Sequence, residues 1–121
     1  MFADSPHSIA DKLLMQYDEW DIVAQYEQYV TTGQPLDVHG ALSTALAWDR
    51  YQRGMRAMAS ISAEEVAKRL PVPTGATAML DVGGSHGYYS VCACRRHPAL
   101  RATILDLPEA VEHAAPILAR E

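Results

Sequence analysis

The second half of the chain alternates between short apolar runs and longer stretches that mix apolar and polar positions. Short apolar runs are typical of buried strands, whereas apolar positions three and four apart are typical of helices. The alternation predicts strand, helix, strand and helix at residues 78–82, 88–96, 102–105 and 108 to about 120. The first run, interrupted only by Asp81, is typical of a central parallel strand covered on both faces. Pro116 is expected to kink or split the last helix, because proline removes a backbone donor.

The first half of the chain has helical periodicity throughout. The predicted helices span residues 8 to about 30, 40–60 and 62–70. Residues spaced by three and four form one apolar stripe on the first helix: Ile9, Leu13, Leu14, Tyr17, Trp20 and Val23 or Ala24. Gly33 is expected to end this helix, and the capping box Ser62-x-x-Glu65 to begin the third. Pro71 then excludes further helix.

A glycine-rich turn follows the first predicted strand. Gly83, Gly84 and Gly87 allow the backbone to turn sharply and to approach a ligand without Cβ collisions. The free N–H groups of the next helix face this turn. Asp106 lies at the end of the second strand, 23 residues after Gly83, close to the spacing of about 20 expected for an acid that binds a ribose. The segment therefore predicts half of a nucleotide-binding α/β unit.

The glycine pattern indicates which cofactor is bound. The dinucleotide pattern G-x-G-x-x-G fails at Ser85 and at Tyr88. The methyltransferase pattern, an acid two residues before G-x-G-x-G, is met by Asp81, Gly83 and Gly87, with Ser85 in place of the middle glycine. That replacement costs on the order of 1 kcal/mol or more only if the φ angle of Ser85 is positive. The pattern favours S-adenosylmethionine over NAD.

Several segments in the same order make the resemblance to a family specific. The chain resembles the S-adenosylmethionine-dependent O-methyltransferases of the plant caffeate and bacterial polyketide type, whose signature is L-D-V-G-G-G-x-G followed by D-L-P. The matching segments are residues 32–40, the spacing Trp48…Tyr51…Met55, residues 80–87, and Asp106-Leu107-Pro108-Glu109.

The resemblance implies a truncated α/β enzyme. Residues 1–70 would be a helical linker, dimerisation and acceptor-lining region, and 71–121 the first part of a Rossmann-like class I methyltransferase domain. The complete enzyme would be a homodimer that methylates a hydroxyl of an aromatic or polyketide-like small molecule. Its general base would lie beyond Glu121, so no catalytic residue is assigned within the chain. The isolated chain is expected to be inactive and prone to association, because the central strand lacks neighbours.

The candidate site residues fall into two groups. The cofactor-binding candidates are Asp81, Gly83, Gly84, Ser85, Gly87, Asp106, Leu107 and Arg53. The candidates that line the acceptor are Trp48, Tyr51 and Met55.

Most of these candidates have a structural alternative. The glycines could serve only the packing of strand against helix, and Asp106 could be the N-cap of the last helix. The aromatic residues at helical spacing could belong to the core. Arg53 or Arg50 would bind the cofactor carboxylate as a bidentate pair, although most arginines are solvated. His86 is expected at the solvent or beside the cofactor, and not as the catalytic base.

Composition narrows the classes of partner. The net charge of −5 argues against nucleic acid, and no window has the roughly 20 apolar residues of a membrane span. Cys92 and Cys94, two positions apart on one helix, cannot pair, and free thiols are typical of the cytoplasm. The five histidines have no metal-ligand spacing, so no metal is expected. The competing interpretations are a non-catalytic remnant or interaction module and, less favoured, an NAD-binding domain.

Overall fold

A computed structural model of the chain describes Ser5 and residues 7–40 and 42–121. In these residues it contains six helices and two strands. They are α1 (Ala10–Asp18), α2 (Trp20–Val23), α3 (Tyr26–Thr32), α4 (Ala45–Arg69), β1 (Ala78–Val82), α5 (Tyr88–Arg96), β2 (Arg101–Leu105) and α6 (Pro108–Leu118). None of the helices formed by the described residues is long and apolar enough to cross a membrane.

The two strands form a parallel sheet in the predicted order. Their register runs from Ala78 opposite Arg101 to Val82 opposite Leu105, so β2 begins one residue earlier than predicted. Alternate residues of each strand are half-buried on one face. The other face is open, with Leu80 60% and Val82 72% exposed. The prediction of cover on both faces therefore holds for only one face in the part of the chain that the structure describes.

The central element is α4, a continuous helix of 25 residues. It begins at Thr44, whose hydroxyl accepts a hydrogen bond from the Ala47 N–H at 3.1 Å, and it ends before Pro71 as predicted. The predicted boundary at Ser62 is wrong, since Ser62 lies inside α4 with its hydroxyl 2.8 Å from that of Tyr89. Good helix formers surround Ser62, so nothing local interrupts the helix there.

The first predicted helix is divided into α1, α2 and α3. Its predicted apolar stripe is mostly exposed, at 58% for Leu13 and 75% for Tyr17, so that stripe does not pack along a neighbour that would keep the whole segment straight. The buried residue of α1 is instead Met15. Gly33 ends α3 as predicted, with a φ angle of +69° and its N–H donated to the Tyr29 carbonyl at 2.8 Å.

Small side chains on α4 allow close packing with its neighbours. A Cβ at Gly54 would lie 2.7 Å from the Cβ of Met15, so α1 contacts α4 at this glycine. On the side toward α5, Ala63 and Ala67 of α4 form a buried cluster with Cys92. The last helix, α6, also packs on α4 and is not split at Pro116 but continues to Leu118. Pro116 lacks the N–H that would bond the Glu112 carbonyl, but only two helical residues follow it, so little of the helix lies beyond the lost bond.

Candidate functional site

The glycine-rich turn has three left-handed residues within five positions. Gly83 has a φ angle of +70°, Ser85 of +48° and Gly87 of +72°. The Gly83 N–H donates to the Leu105 carbonyl at 2.7 Å, which ties the start of the turn to the end of β2. Ser85 is the only non-glycine residue among those described with a positive φ, so the strained case considered for the Gly-to-Ser replacement applies.

Asp106 is bonded directly to this turn. Its Oδ2 accepts the Ser85 N–H at 2.7 Å, and its Oδ1 accepts the Leu107 N–H at 2.7 Å. Asp106 is not the N-cap of α6, because Leu107 holds that position without a side-chain cap. A carboxylate has about four acceptor positions, so two remain for a ligand. The turn and the acid are thus joined at the carboxyl ends of the two strands; the sequence predicted the acid at the end of β2 but not this bond.

The three glycines have different surroundings. A Cβ at Gly84 would lie 2.8 Å from the Asp81 Cγ, and one at Gly87 would lie 2.4 Å from the Ile104 Cδ1. A Cβ at Gly83 would meet nothing within 4 Å. The packing alternative therefore applies to Gly84 and Gly87. Gly83 combines a left-handed backbone with open space, the geometry that lets a ligand approach the main chain.

Asp81 is half-buried beneath the turn. Its Oδ2 accepts a hydrogen bond of 2.5 Å from the Ser90 hydroxyl of α5. This bond satisfies part of the need of a buried carboxylate for partners. The acid therefore links β1, the turn and α5, and its direct contact with a cofactor remains a prediction.

The two candidate arginines form ion pairs around α1 and α4. The Arg53 Nη1 lies 2.8 Å from the Asp49 Oδ2, and its Nε lies 3.6 Å from the Asp11 Oδ1. Arg50 contacts both carboxylate oxygens of Asp18, at 2.9 and 3.0 Å. Binding of a cofactor carboxylate by either arginine would compete with these acids, so the structure adds no support to that prediction.

The predicted acceptor-lining residues include a buried tryptophan. The Trp48 ring is stacked with the imidazoles of His39 and His113, at centroid distances of 6.1 and 6.4 Å, and Trp48 is 8% exposed. The core alternative therefore describes Trp48 in this structure. Tyr51 is half-buried with its ring 6.0 Å from that of Trp48, and burial raises its pKa, as do the nearby Glu19 and Asp106 carboxylates.

Met55, the third candidate, is half-buried on α4. The two imidazoles beside Trp48 were not predicted, because His39 and His113 are 74 positions apart in the sequence. Only tertiary packing brings them together.

His86 does not lie at the solvent. It is 3% exposed, and its Nδ1 accepts the Tyr88 N–H at 3.1 Å, at the N-terminal end of α5. Burial, and then the positive charge of Arg56, lower the pKa of His86 to about 4. At neutral pH it is an uncharged acceptor that stabilises the start of a helix.

Gln52 belongs to the site and was missed by the sequence reasoning. Its side chain is 0% exposed and connects α4 to the turn and to α6. Its Oε1 accepts the Ser85 hydroxyl at 2.8 Å, and its Nε2 donates to the Ala110 carbonyl at 3.1 Å. The sequence did contain one sign of its role: Gln52 is a polar residue on the same face of the helix as Trp48 and Ala59.

A glycine-rich turn between two parallel strands, joined to an acid at the end of the second, defines the first part of a Rossmann-like nucleotide-binding domain. The family model of the O-methyltransferase domain matches residues 17–121. The chain therefore belongs to the O-methyltransferase family.

Solved structures agree with this assignment. An O-methyltransferase family protein from Burkholderia thailandensis is 25% identical, with a TM-score of 0.76 over 93% of this chain and 34% of its own. Human N-acetylserotonin methyltransferase, solved in complex with SAM, is 20% identical, with a TM-score of 0.72 over 93% of this chain and 36% of its own; this likeness concerns the fold. The chain thus spans about a third of the length of these structures. A comparison with curated proteins gave no match.

Proposed function

We propose that the chain forms the cofactor-binding part of an S-adenosylmethionine-dependent O-methyltransferase. The observation that carries the proposal is the 2.7 Å hydrogen bond from the Ser85 N–H to Asp106, which joins the glycine-rich turn to the acid. The family supports a methyl donor, and a solved structure of similar fold holds SAM. The failed dinucleotide pattern argues against NAD.

The residues of the turn are suited to the parts of this cofactor. The free acceptor positions of Asp106 would bind two ribose hydroxyls, with Leu107 beside them. The open side of Gly83 leaves room for the ligand against the backbone. Gly84 and Gly87 shape the turn by packing, while Ser85 holds the acid. When bound, the sulfonium supplies an electrophilic methyl group.

The chain contributes binding and orientation to the reaction. Holding donor and acceptor in line is the main demand of a direct methyl transfer. A general base must also take the hydroxyl proton, and His86 is unsuited because it is buried and its Nδ1 already accepts a backbone N–H. We therefore propose that His86 is not this base.

The finer parts of the assignment remain predictions. They are an aromatic or polyketide-like acceptor, a homodimer of the complete enzyme, a cytoplasmic location, and no role in binding nucleic acid. Tyr51 is the acceptor-lining candidate that the structure supports best, because it is half-buried and near Asp106.

Asp106→Asn in the full chain tests the proposal. The amide keeps the size of the side chain but loses the charge and one acceptor, so we expect the dissociation constant of S-adenosylhomocysteine to rise roughly tenfold to a hundredfold. Calorimetric titration measures this, and a thermal melt of each variant shows whether it is folded. Glu109→Gln is the matched control, since it removes an exposed carboxylate three residues away. Equal affinity of Asp106→Asn and wild type, or binding of NADH with similar affinity, would contradict the proposal.

A further inference from the structure

Gln52 is an unusual residue in the packing of this chain. It is the largest side chain with less than 2% exposure among those described, and it is polar, whereas its buried neighbours on α4 are mostly alanines. A buried amide is tolerated only when its hydrogen bonds are made. Both ends of this amide are bonded, and the two partners lie in different elements, the glycine-rich turn and α6.

The partner in the turn is the strained residue. Ser85 has a φ angle of +48°, which residues other than glycine rarely adopt. Its hydroxyl donates to the Gln52 Oε1 at 2.8 Å, and its backbone N–H donates to Asp106 at 2.7 Å. The left-handed conformation directs these two groups to two different partners. The bond to Gln52 thus favours the conformation in which the Ser85 amide reaches Asp106.

We propose that Gln52 is a positioning residue that holds left-handed Ser85, and through it orients the Asp106 carboxylate toward the ribose of the cofactor. Gln52 itself does not contact the ribose in this arrangement. The inference rests on the proposed function, since it concerns the orientation of the same acid. It accounts for a serine in the middle glycine position, because a fixed partner for its hydroxyl offsets the conformational strain.

The second bond of Gln52 gives the arrangement a rigid base. Its Nε2 donates to the carbonyl of Ala110, which is buried near the start of α6, four residues after Asp106. The same amide is therefore bonded both to the turn that donates to Asp106 and to the helix that follows Asp106 in the sequence. A movement of α6 relative to the turn would stretch one of its two bonds.

The test compares S-adenosylhomocysteine with its 3′-deoxyribose analogue in the full chain. In the wild type the analogue should bind roughly tenfold more weakly, because one hydroxyl bond to a charged acid is lost. Gln52→Met, similar in size but without hydrogen bonds, should reduce this ratio to about twofold or less. Ser60→Ala, which removes a buried α4 hydroxyl bonded within its own helix, is the control and should keep the wild-type ratio.

Ser85→Gly separates positioning from general stability. Glycine adopts a positive φ without help, so Ser85→Gly combined with Gln52→Met should recover the tenfold ratio if Gln52 acts through Ser85. A loss of the ratio in both backgrounds would overturn the inference, because it would indicate only a structural link to α6. If Gln52→Met does not fold, the two Ser85 variants give the test. Ser85→Ala should lose the tenfold preference for S-adenosylhomocysteine over the analogue, whereas Ser85→Gly should keep it. An equal preference in these two variants would overturn the inference.

The two proposals fail in different ways. A wild type that does not bind S-adenosylhomocysteine contradicts the proposed function and the inference together. A wild type that binds it and discriminates against the analogue, with a Gln52→Met variant that discriminates equally, contradicts only the positioning role.

Discussion

Gly83 and Gly87 offer a matched pair of substitutions, because their φ angles differ by only 2° while their surroundings differ. Alanine in a left-handed conformation costs about 1–2 kcal/mol, partly offset by the lower entropy of the unfolded chain, so Gly83→Ala should lower the free energy of unfolding by about 1 kcal/mol. At Gly87 the new Cβ would also lie 2.4 Å from Ile104 and 2.8 Å from Leu118. Both contacted atoms are terminal methyl groups of half-buried side chains that can rotate away, so the overpacking adds about 1 kcal/mol, the low end of the usual range.

Urea denaturation followed by circular dichroism measures both values. We expect Gly87→Ala to be the more destabilised by about 1 kcal/mol, since only it meets other side chains. Affinity for S-adenosylhomocysteine should be affected in the opposite order: Gly83→Ala adds a methyl group on the open side of the turn and should bind more weakly, whereas folded Gly87→Ala should keep its affinity. Equal destabilisation of the two variants would refute the packing argument. Unchanged affinity of Gly83→Ala would refute the assignment of its open side to the ligand.

Two further predictions concern pH and association. The pKa of His86 is about 4 in the folded chain, below its ordinary value of 6.5. Between these two pH values the unfolded chain binds more protons than the folded one. The free energy of unfolding should therefore fall as the pH is lowered through this range, by up to about 1.4 kcal/mol per pH unit. His86→Asn, which keeps an acceptor for the Tyr88 N–H, should lose this contribution in urea titrations at several pH values, and an unchanged slope would contradict the assignment. The chain alone should self-associate through the open face of β1, so Val82→Lys should lower its sedimentation coefficient at high protein concentration. Equal sedimentation coefficients for the variant and the wild type would show that the chain does not associate through that face.

Local sequence predicted the second half of the chain well. β1 and α5 have the predicted limits, and β2 differs by one residue. Apolar runs, a glycine-rich turn and a proline at the start of α6 act over a few residues, so they determine these elements without help from distant parts.

Helix boundaries in the first half were predicted less well. The Ser62 capping pattern was present, but α4 continued through it, and the apolar stripe of α1 did not become its packed face. A capping motif competes with the stability of a continuous packed helix, and which face of a helix is buried depends on its neighbours. Met15 is the buried residue of α1 because Gly54, which has no side chain, leaves room for it on α4.

The sequence located the turn and the acid at the end of β2. The acid at the end of β2 and the glycines predicted a nucleotide-binding turn, because their types and spacing limit what the backbone can do, whereas the Gly-to-Ser replacement was a departure from the pattern. Tertiary structure alone decided which groups meet. The sign of φ at Ser85, the buried position of His86 and the two bonds of Gln52 depend on side chains that lie far apart in the sequence. Hydrogen bonds of this kind form only after α4 and α6 have packed against the turn, so no local pattern contains them.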